Sequence, residues 1–342
     1  MKSIFRHKYN SIISIENILN AWQGFVKGKR NRKDVQVFEQ RLMKNIILLH
    51  NDLNNDNYEH SKYESFNISD PKPRNINKAS VRDRLLHHLI HQNLYYFFDR
   101  TFISDSYSCR LNKGTHKALN QFRNYACKVS KSHTKTCWVL KCDIKKFFAS
   151  IDHVILKHIL GRYIEDHKLL RLLYTIIDSF CVLDGKGLPL GNLTSQLLVN
   201  IYMNEFDQFM KHRIKAKDYV RYADDFVILS TDKGWLLEVL PEMESFLLKK
   251  LKLRMHPNKV SIKTYASGVD FLGWVNFTDH RVLRTTTKRR IFSALENEQV
   301  KDETIQSCLG VLRHGNTKKI QGQFCLMVGK KGFFGDDKTS GI

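Results

Sequence analysis

Two adjacent acidic residues, Asp224 and Asp225, stand between two short apolar runs, Tyr219-Val-Arg-Tyr222 and Phe226-Val-Ile-Leu229. Runs of this length, rich in β-branched and aromatic residues, read as strands, and the break between them reads as a hairpin tip. Two like charges side by side repel, and the repulsion favours a bound cation. An isolated Asp-Asp pair is more often a solvated turn. Here a third acid, Asp143, closes another apolar strand, Trp138 to Ile144, where a carboxylate is costly to bury unless it binds something. The fold this pattern asks for is a sheet that brings Asp143 to the tip of the Asp224–Asp225 hairpin.

Carboxylates from two neighbouring strands are what a pair of divalent ions needs. Nucleotidyl transfer uses two such ions about 4 Å apart to clamp the attacking and leaving oxygens. Magnesium prefers hard oxygen ligands. Asp143, Asp224 and Asp225 are therefore the candidate catalytic and metal-holding residues, and Mg2+ (two ions) is the expected cofactor.

The rest of the chain suits that reading. Its 342 residues, 42% hydrophobic, can bury one large core or two to three subdomains. Its 56 Lys and Arg against 34 Asp and Glu give a net charge of +22, which calls for a polyanionic partner. Cations recur from Lys27 to Lys33, Lys128 to Lys135, Lys211 to Lys217, Lys249 to Arg254 and Lys288 to Arg290. Such a spread fits a long nucleic-acid channel with steep salt dependence. No apolar run reaches the roughly 20 residues that span a bilayer. The first 20 residues lack the apolar core of an export signal, so a cytoplasmic protein with no membrane association is expected. Seven scattered cysteines contain no C-x-x-C pair, and free buried thiols are expected rather than a zinc site.

Periodicity places helices within residues 1–50 (Val37, Phe38, Leu42, Ile46 and Ile47 at helical spacing), over Val81 to Arg100, Val154 to Tyr163, Leu197 to Met210 and Leu236 to Leu251, and along Lys288 to Phe324. Asn51 to Lys62 reads as a loop, Pro71-Lys-Pro-Arg74 as extended chain, Gly185 to Gly191 as loop, and Ser261 to Phe277 as mostly strand. Strands and helices without strict alternation indicate the α+β class.

Four motifs, in order, carry a family resemblance. Asp143 with Phe148 five residues on resembles the first carboxylate box of reverse transcriptases, D-x-x-x-x-[FY]. Gly187-Leu-Pro-Leu-Gly191-Asn-Leu-Thr-Ser195-Gln196 resembles their G-x-P-x-G-x-x-x-S loop. Tyr222-Ala-Asp-Asp225 resembles their Y-x-D-D box, and Phe271-Leu-Gly-Trp274 their primer grip. The likeness runs over residues 60–320. It implies a right-hand polymerase architecture: a helical N-terminal extension (1–60), fingers (61–140, with part of 160–200), a palm with an antiparallel sheet (141–284), and a short helical thumb with tail (285–342). By the same resemblance Asp143 and Asp224 hold both ions with help from the Ile144 carbonyl, and Asp225 is a weaker ligand. Phe148 becomes a gate against a 2′-hydroxyl, favouring dNTPs; from its position alone it reads equally as a core aromatic beside Phe147. Lys72, Arg74 and Arg110 become triphosphate ligands, each also readable as a solvated basic face. Leu190, Gly191 and Gln196 become part of the nucleotide site. Lys259 becomes the group that protonates pyrophosphate, or simply a solvent-facing lysine. Phe271, Leu272, Gly273 and Trp274 become the primer grip.

Leu190 and Gln196 stand where most retroviral and group II intron enzymes have Gln and Pro. With Trp22 and Phe25 to Arg30, Ser106 to His116, and Cys308 to Thr317, they resemble the diversity-generating retroelement subgroup. That kinship implies misincorporation opposite template adenine, a template RNA and RNA/cDNA duplex as partners, and a small basic accessory protein oligomer. The stretch after Trp274 is expected to be too short for a maturase region plus an endonuclease module. A retron or antiphage reverse transcriptase is the alternative, and a non-catalytic RNA-binding scaffold with a palm fold is a third reading.

Overall fold

In a computed structural model the chain is described over residues 3–69, 73–296 and 302–329. Among the described residues there are nine strands, β1 (Glu64–Ile68), β2 (Arg74–Lys78), β3 (Trp138–Asp143), β4 (Tyr219–Tyr222), β5 (Asp225–Ser230), β6 (Ser261–Thr264), β7 (Val269–Phe271), β8 (Trp274–Asn276) and β9 (Arg281–Leu283). They form three antiparallel sheets: the β1–β2 hairpin, a central sheet in the order β4-β5-β3-β6, and a small sheet β7-β8-β9.

The central sheet is covered on both faces, which explains why its strands read as continuous apolar runs rather than alternating ones. Successive side chains on a strand point to opposite faces. Leu140 and Cys142 of β3 and Phe226 and Ile228 of β5 enter one core. Val139, Val227 and Leu229 enter another on the opposite face. The first core is closed by the helices Val81–Asp99, Leu193–Gln208 and Lys233–Leu251; the last of these contributes Leu236, Val239, Met243 and Leu247 at helical spacing. The second is closed by the helix Thr115–Val129 through Leu119, Phe122 and Ala126, by the β7–β9 sheet, and by the helices Thr285–Glu296, Asp302–Leu312 and Lys318–Gly329.

The N-terminal helix Ile15–Val26 shares the first core through Trp22, Phe25 and Val26. It lies so close to the helix Val81–Asp99 that a Cβ on Gly24 would sit 2.6 Å from His88 Nε2. Further on, the spacing is met in part: Ile46 is buried and Phe38 and Leu42 pack half-buried against this core. Val35 and Leu49 are buried instead of Val37 and Ile47, which are 66% and 43% exposed. The helix Leu42–Asn54 also runs into the stretch expected to be loop. The remainder of that stretch is pinned by a buried Tyr58 hydroxyl donating to Asp83 Oδ1 at 2.8 Å.

Cys109, Cys127, Cys137, Cys142, Cys181 and Cys325 are free, as expected, but of these only Cys137 and Cys142 are buried; Cys109, Cys181 and Cys325 are exposed. Among the described residues, no helix is long and apolar enough to cross a membrane. The α+β class read from the sequence is the one observed.

Candidate active site

β4 and β5 form a tight hairpin in which Tyr222 pairs with Asp225, leaving Ala223 and Asp224 as its two-residue tip. Ala223 has φ +55°. A positive φ at the first tip position matches the twist of the flanking strands and ordinarily calls for glycine; an alanine here holds strain at the point that aims Asp224. β3 lies on the other side of β5, in a register that sets Asp143 directly opposite Asp225. The Ile144 N–H donates to the Asp224 carbonyl at 3.1 Å, which makes Asp143 and Asp225 a non-hydrogen-bonded pair. Such pairs bring Cα atoms to about 4.5 Å, the closest approach in an antiparallel ladder. The three carboxylates therefore meet at one end of the sheet.

Their surroundings are dry and mixed in charge. Burial pushes the Asp224 carboxyl up, and Asp143 pushes it further; Lys259 and Arg74 oppose this. Burial raises Asp225 to about 7 against the pull of Lys141, with Asp143, Asp224 and Asp270 adding to the rise. Asp225 Oδ1 is buried and has no hydrogen-bond partner. Asp143 is engaged: Lys259 Nζ donates to both of its oxygens at 2.9 Å. Beside the carboxylates opens a cavity of about 440 Å³ lined also by Lys141, Lys259, Lys263 and Asp270.

The raised Asp225 carboxyl has a consequence for stability. The folded protein keeps a proton that the unfolded chain has lost, so without metal its stability falls as pH rises from about 4 to about 7. A shift from 3.8 to about 7 corresponds to an upper bound on the order of 4 kcal/mol; the 19% exposure left to the side chain reduces it. Asp225→Asn should therefore raise the melting temperature of chelator-treated protein at pH 8, with a smaller gain at pH 5. An equal gain at both pH values would contradict the burial argument.

Other expected site residues are tied to one another. The Leu188 N–H donates to the Phe148 carbonyl at 2.9 Å, and the Asn77 N–H to the Leu190 carbonyl at 3.2 Å. Asn192 Nδ2 donates to the Asn77 carbonyl at 3.0 Å. The Leu190–Asn192 turn is thus clamped to β2, which begins with Arg74. Gly191 has φ +101°, and a Cβ there would press on Ile76 Cγ2 at 3.0 Å, so only glycine lets the two segments touch. Phe148 is half-buried against the core, while its neighbour Phe147 is the fully buried aromatic. Gln196 follows on the first turn of the helix Leu193–Gln208 and is half-buried.

The ladder also orients Ile144. The Lys145 N–H donates to the Arg254 carbonyl at 2.9 Å and the His256 N–H to the Asp143 carbonyl at 2.7 Å. Ile144 is therefore a non-hydrogen-bonded partner of Met255, and both its backbone groups face the carboxylate side.

Two expectations need correction. Arg110 does not reach the site. Its Nε donates to Asp99 Oδ1 at 2.7 Å, one terminal nitrogen donates to the carbonyls of Ile103 at 2.6 Å and Ser106 at 2.9 Å, and the other donates to the Asp99 carbonyl at 3.2 Å. With its side chain 6% exposed, its donors are spent on closing the turn after the helix Val81–Asp99. In the Phe271–Trp274 hairpin, Phe271 and Trp274 are core residues. Between them lies a two-residue turn, Leu272 with φ +50° and Gly273 with φ +86°; both are half-buried, and Leu272 packs against the same core. Lys72 lies outside the described residues.

Sequence reasoning missed what holds the carboxylate hairpin. Arg221 is fully buried and makes a two-point ion pair with fully buried Asp207, Nε to Oδ1 at 2.7 Å and a terminal nitrogen to Oδ2 at 2.5 Å. The other terminal nitrogen donates to the Ala223 carbonyl at 3.0 Å. The Tyr219 hydroxyl donates to Asp207 Oδ1 at 2.8 Å. The signal was available: Arg221 interrupts an apolar strand, and Asp207 falls on the buried face of an apolar helix.

The comparisons fit this geometry. Residues 67–275 match the family described as reverse transcriptase (RNA-dependent DNA polymerase). The chain belongs to the reverse transcriptase family. Protein YkfC of Escherichia coli (strain K12) is 26% identical to this reverse transcriptase over 275 residues, 68% of the chain and 70% of that protein. The group II intron-encoded protein LtrA of Lactococcus lactis subsp. cremoris is 23% identical over 290 residues, 64% of the chain but only 46% of that protein. The retron Ec73 reverse transcriptase of Escherichia coli is 25% identical over 227 residues, 59% of the chain and 68% of that protein. A telomerase structure from Candida albicans superimposes with a TM-score of 0.52 at 12% identity, over 81% of this chain and 57% of that one. The fold is the right-hand polymerase fold, with the β4-β5-β3-β6 sheet as its antiparallel palm.

Reverse transcriptases generally use divalent metal ions, and the residues here fit one. The donors are all carboxylate oxygen, as magnesium requires, and the orphaned Asp225 Oδ1 lacks a partner that a cation would supply. Among the described residues, no three His, Cys, Asp or Glu side chains are already arranged to hold a metal ion. Asp143 faces the Lys259 ammonium instead, so that ion pair must open for the three carboxylates to act together.

Proposed function

We propose that the chain copies a template RNA into DNA, using dNTPs and two Mg2+ ions held by Asp143, Asp224 and, more weakly, Asp225, with the Ile144 carbonyl beside them. The observation that carries this reading is the pairing of Asp143 directly across from Asp225, next to the Asp224 tip. When bound, the ions supply charge neutralisation at the attacking and leaving oxygens. The chain's own groups do the rest. Phe148 and the Gly187–Gln196 loop form the floor and side of the nucleotide site. Arg74, near enough to lower the Asp224 pKa, faces the phosphates. Lys259, released from Asp143, is placed to give a proton to departing pyrophosphate. The Leu272–Gly273 turn bears on the primer strand. Lys72 remains part of the proposed triphosphate set through its place in the sequence.

The test is primer extension on an RNA template with Mg2+ and either dNTPs or rNTPs. DNA synthesis that prefers dNTPs is the expected result. Folded protein that binds RNA yet extends nothing would leave the scaffold reading standing.

The finer role proposed is mutagenic copying in a diversity-generating retroelement, with a template RNA and a small basic accessory protein as partners in the cytoplasm of a bacterial, phage or archaeal host. Leu190 supports it. Its carbonyl is fixed by Asn77, and its apolar side chain offers no donor or acceptor near the nucleotide. Leu190→Gln is expected to lower errors opposite template adenine by about tenfold, since one added hydrogen bond discriminates by roughly 1 kcal/mol or more. Sequenced cDNA with equal error rates at all four template bases would defeat it. The similarity to the Ec73 enzyme favours a retron role as the second reading; a matching template repeat and variable repeat beside the gene would decide between them.

A further inference from the structure

Two stretches that resemble one reverse transcriptase subgroup, Ser106 to His116 and Cys308 to Thr317, lie far apart in the chain and meet in the fold. The rings of His116 and His314 stack with centroids 3.5 Å apart and planes 26° from parallel. His116 is on the first turn of the helix Thr115–Val129, and His314 is in the turn between the helices Asp302–Leu312 and Lys318–Gly329. Arg281 of β9 holds that turn at two more points. Its Nε donates to the His314 carbonyl at 2.5 Å, and its own carbonyl accepts the Asn316 N–H at 2.9 Å. A terminal nitrogen of the same guanidinium donates to Asn120 Oδ1 at 3.3 Å. Asn120 is four residues after His116, on the same helix face. Between the two held residues, a Cβ on Gly315 would overlap the Trp274 ring and lie 2.9 Å from the Arg281 carbonyl. Gly315 has no positive φ, so the close approach is what demands glycine here. The turn is also fixed within itself: the Leu312 carbonyl accepts from the Thr317 hydroxyl and, at 2.7 Å, from Gln321 Nε2.

The same helix start reaches the carboxylate hairpin. The Thr115 hydroxyl donates to the Tyr222 hydroxyl oxygen at 3.2 Å, and Tyr222 pairs with Asp225 across the hairpin. Two consecutive residues, Thr115 and His116, thus touch the hairpin with one side chain and the 314–316 turn with the other. Apolar burial attaches the segment 302–329 to the second core through Ile305, Leu312, Phe324 and Val328. Burial of that kind is non-directional and leaves the angle of the helices open. Hydrogen bonds and stacked rings are directional, and at this turn they supply what burial does not.

We infer that His116 is a positioning residue for the primer strand: with Arg281 and Gly315 it forms a joint that fixes the angle of the segment 302–329 against the carboxylate hairpin. This rests on the polymerase reading, in which that segment is the thumb and holds the template–primer duplex. A thumb that swings away unstacks His314 from the helix start that also holds Tyr222, so the hairpin and the grip on the duplex move together.

The test uses the full chain and the variants Gly315→Ala, His116→Ala and His116→Phe. Gly310→Ala is the control, since a methyl there meets open space. Amide hydrogen exchange over residues 302–329 reads the joint. The dissociation rate of a labelled DNA primer on an RNA template, and the KM for dNTP, read its role. Gly315→Ala and His116→Ala should speed exchange and raise the dissociation rate by about fivefold, equivalent to about 1 kcal/mol. Their KM for dNTP should stay within about twofold of wild type. His116→Phe keeps a flat ring in the stack, and it should match wild type within about twofold in every readout, as should Gly310→Ala. Unchanged exchange in both Gly315→Ala and His116→Ala would overturn the joint. Faster exchange with an unchanged dissociation rate would make the contacts structural alone and overturn the positioning role. His116→Phe as impaired as His116→Ala would overturn it too, because the imidazole itself would then be meeting the duplex. Thermal melting verifies that each variant is folded; should Gly315→Ala fail to fold, His116→Ala carries the test. Wild type that extends no primer while the variants still show faster exchange and dissociation would defeat the polymerase reading and leave the joint standing.

Discussion

Asp143→Asn and Asp224→Asn should each reduce primer extension by at least about 10³-fold, because the ions proposed to bind there would stabilise several kcal/mol of transition-state charge and every ~1.4 kcal/mol is tenfold in rate. Asparagine keeps the size and shape of the side chain and removes only the negative charge, so the loss reports on chemistry and not on packing. Neither variant should be less stable than wild type by more than about 1 kcal/mol. At Asp224 the substitution removes a carboxyl whose ionisation is disfavoured by burial. At Asp143 it removes one ion pair with a lysine that is 43% exposed, and such pairs contribute at most about 1 kcal/mol. Single-turnover extension on an RNA template, with melting curves for each variant, checks both halves. Extension by either variant within about tenfold of wild type would mean that the carboxylate is not a ligand of the reacting ions. Asp225→Asn should fall between these variants and wild type if its role is the weaker one.

The second large effect is expected from the pair beneath the hairpin. Asp207→Ala leaves the Arg221 guanidinium buried without its counter-charge and leaves the Tyr219 hydroxyl without its acceptor. Removing one member of a buried ion pair costs about 3–5 kcal/mol, enough to lower the melting temperature of a protein this size by roughly 5 °C. Replacing both members, Asp207→Leu with Arg221→Met, should recover more than half of that stability, because two desolvated charges are exchanged for packed apolar groups. Extension should not recover in parallel. The Ala223 carbonyl loses its donor, and the strained turn that aims Asp224 loses its anchor, so the double variant should remain about tenfold slower at saturating dNTP. A double variant that regained stability and full kcat together would show the pair to be structural alone.

The two effects separate what could be read in the chain from what could not. The β4–β5 hairpin was legible because Tyr219 to Ser230 is too apolar for anything but a buried element, and because two adjacent acids at its middle can only sit at its tip. β3 was legible for the same reason, and Asp143 stood out as a charge at the end of a strand with no local partner. Helix phase was less legible. Val37 and Ile47 fit a helical period as well as Val35 and Leu49 do, and which side chains face inward depends on the helix they meet. Arg110 was misplaced on the same ground: an arginine in a loop looks identical in sequence whether it serves a phosphate or three backbone carbonyls. Phe271 and Trp274 were placed in the right element, yet the second core takes their side chains, with Leu272 of the turn between them packed half-buried against it.

By itself the sequence determined the chemistry. The residue types at Asp143, Asp224 and Asp225, the order of the motifs around them and a net charge of +22 marked the chain as an α+β protein of the reverse transcriptase family, since those features reside in side chains and local periodicity. The tertiary structure alone decided register and neighbours: that Asp143 lies opposite Asp225 and not one residue away, that Asp207 reaches Arg221, that Asn77 clamps Leu190, and that His116 stacks on His314. Those contacts join residues far apart in the chain, and nothing local specifies them; they exist because a sheet buried on both faces fixes the pairing of its strands, where a slip of one residue would turn every core side chain to the wrong side.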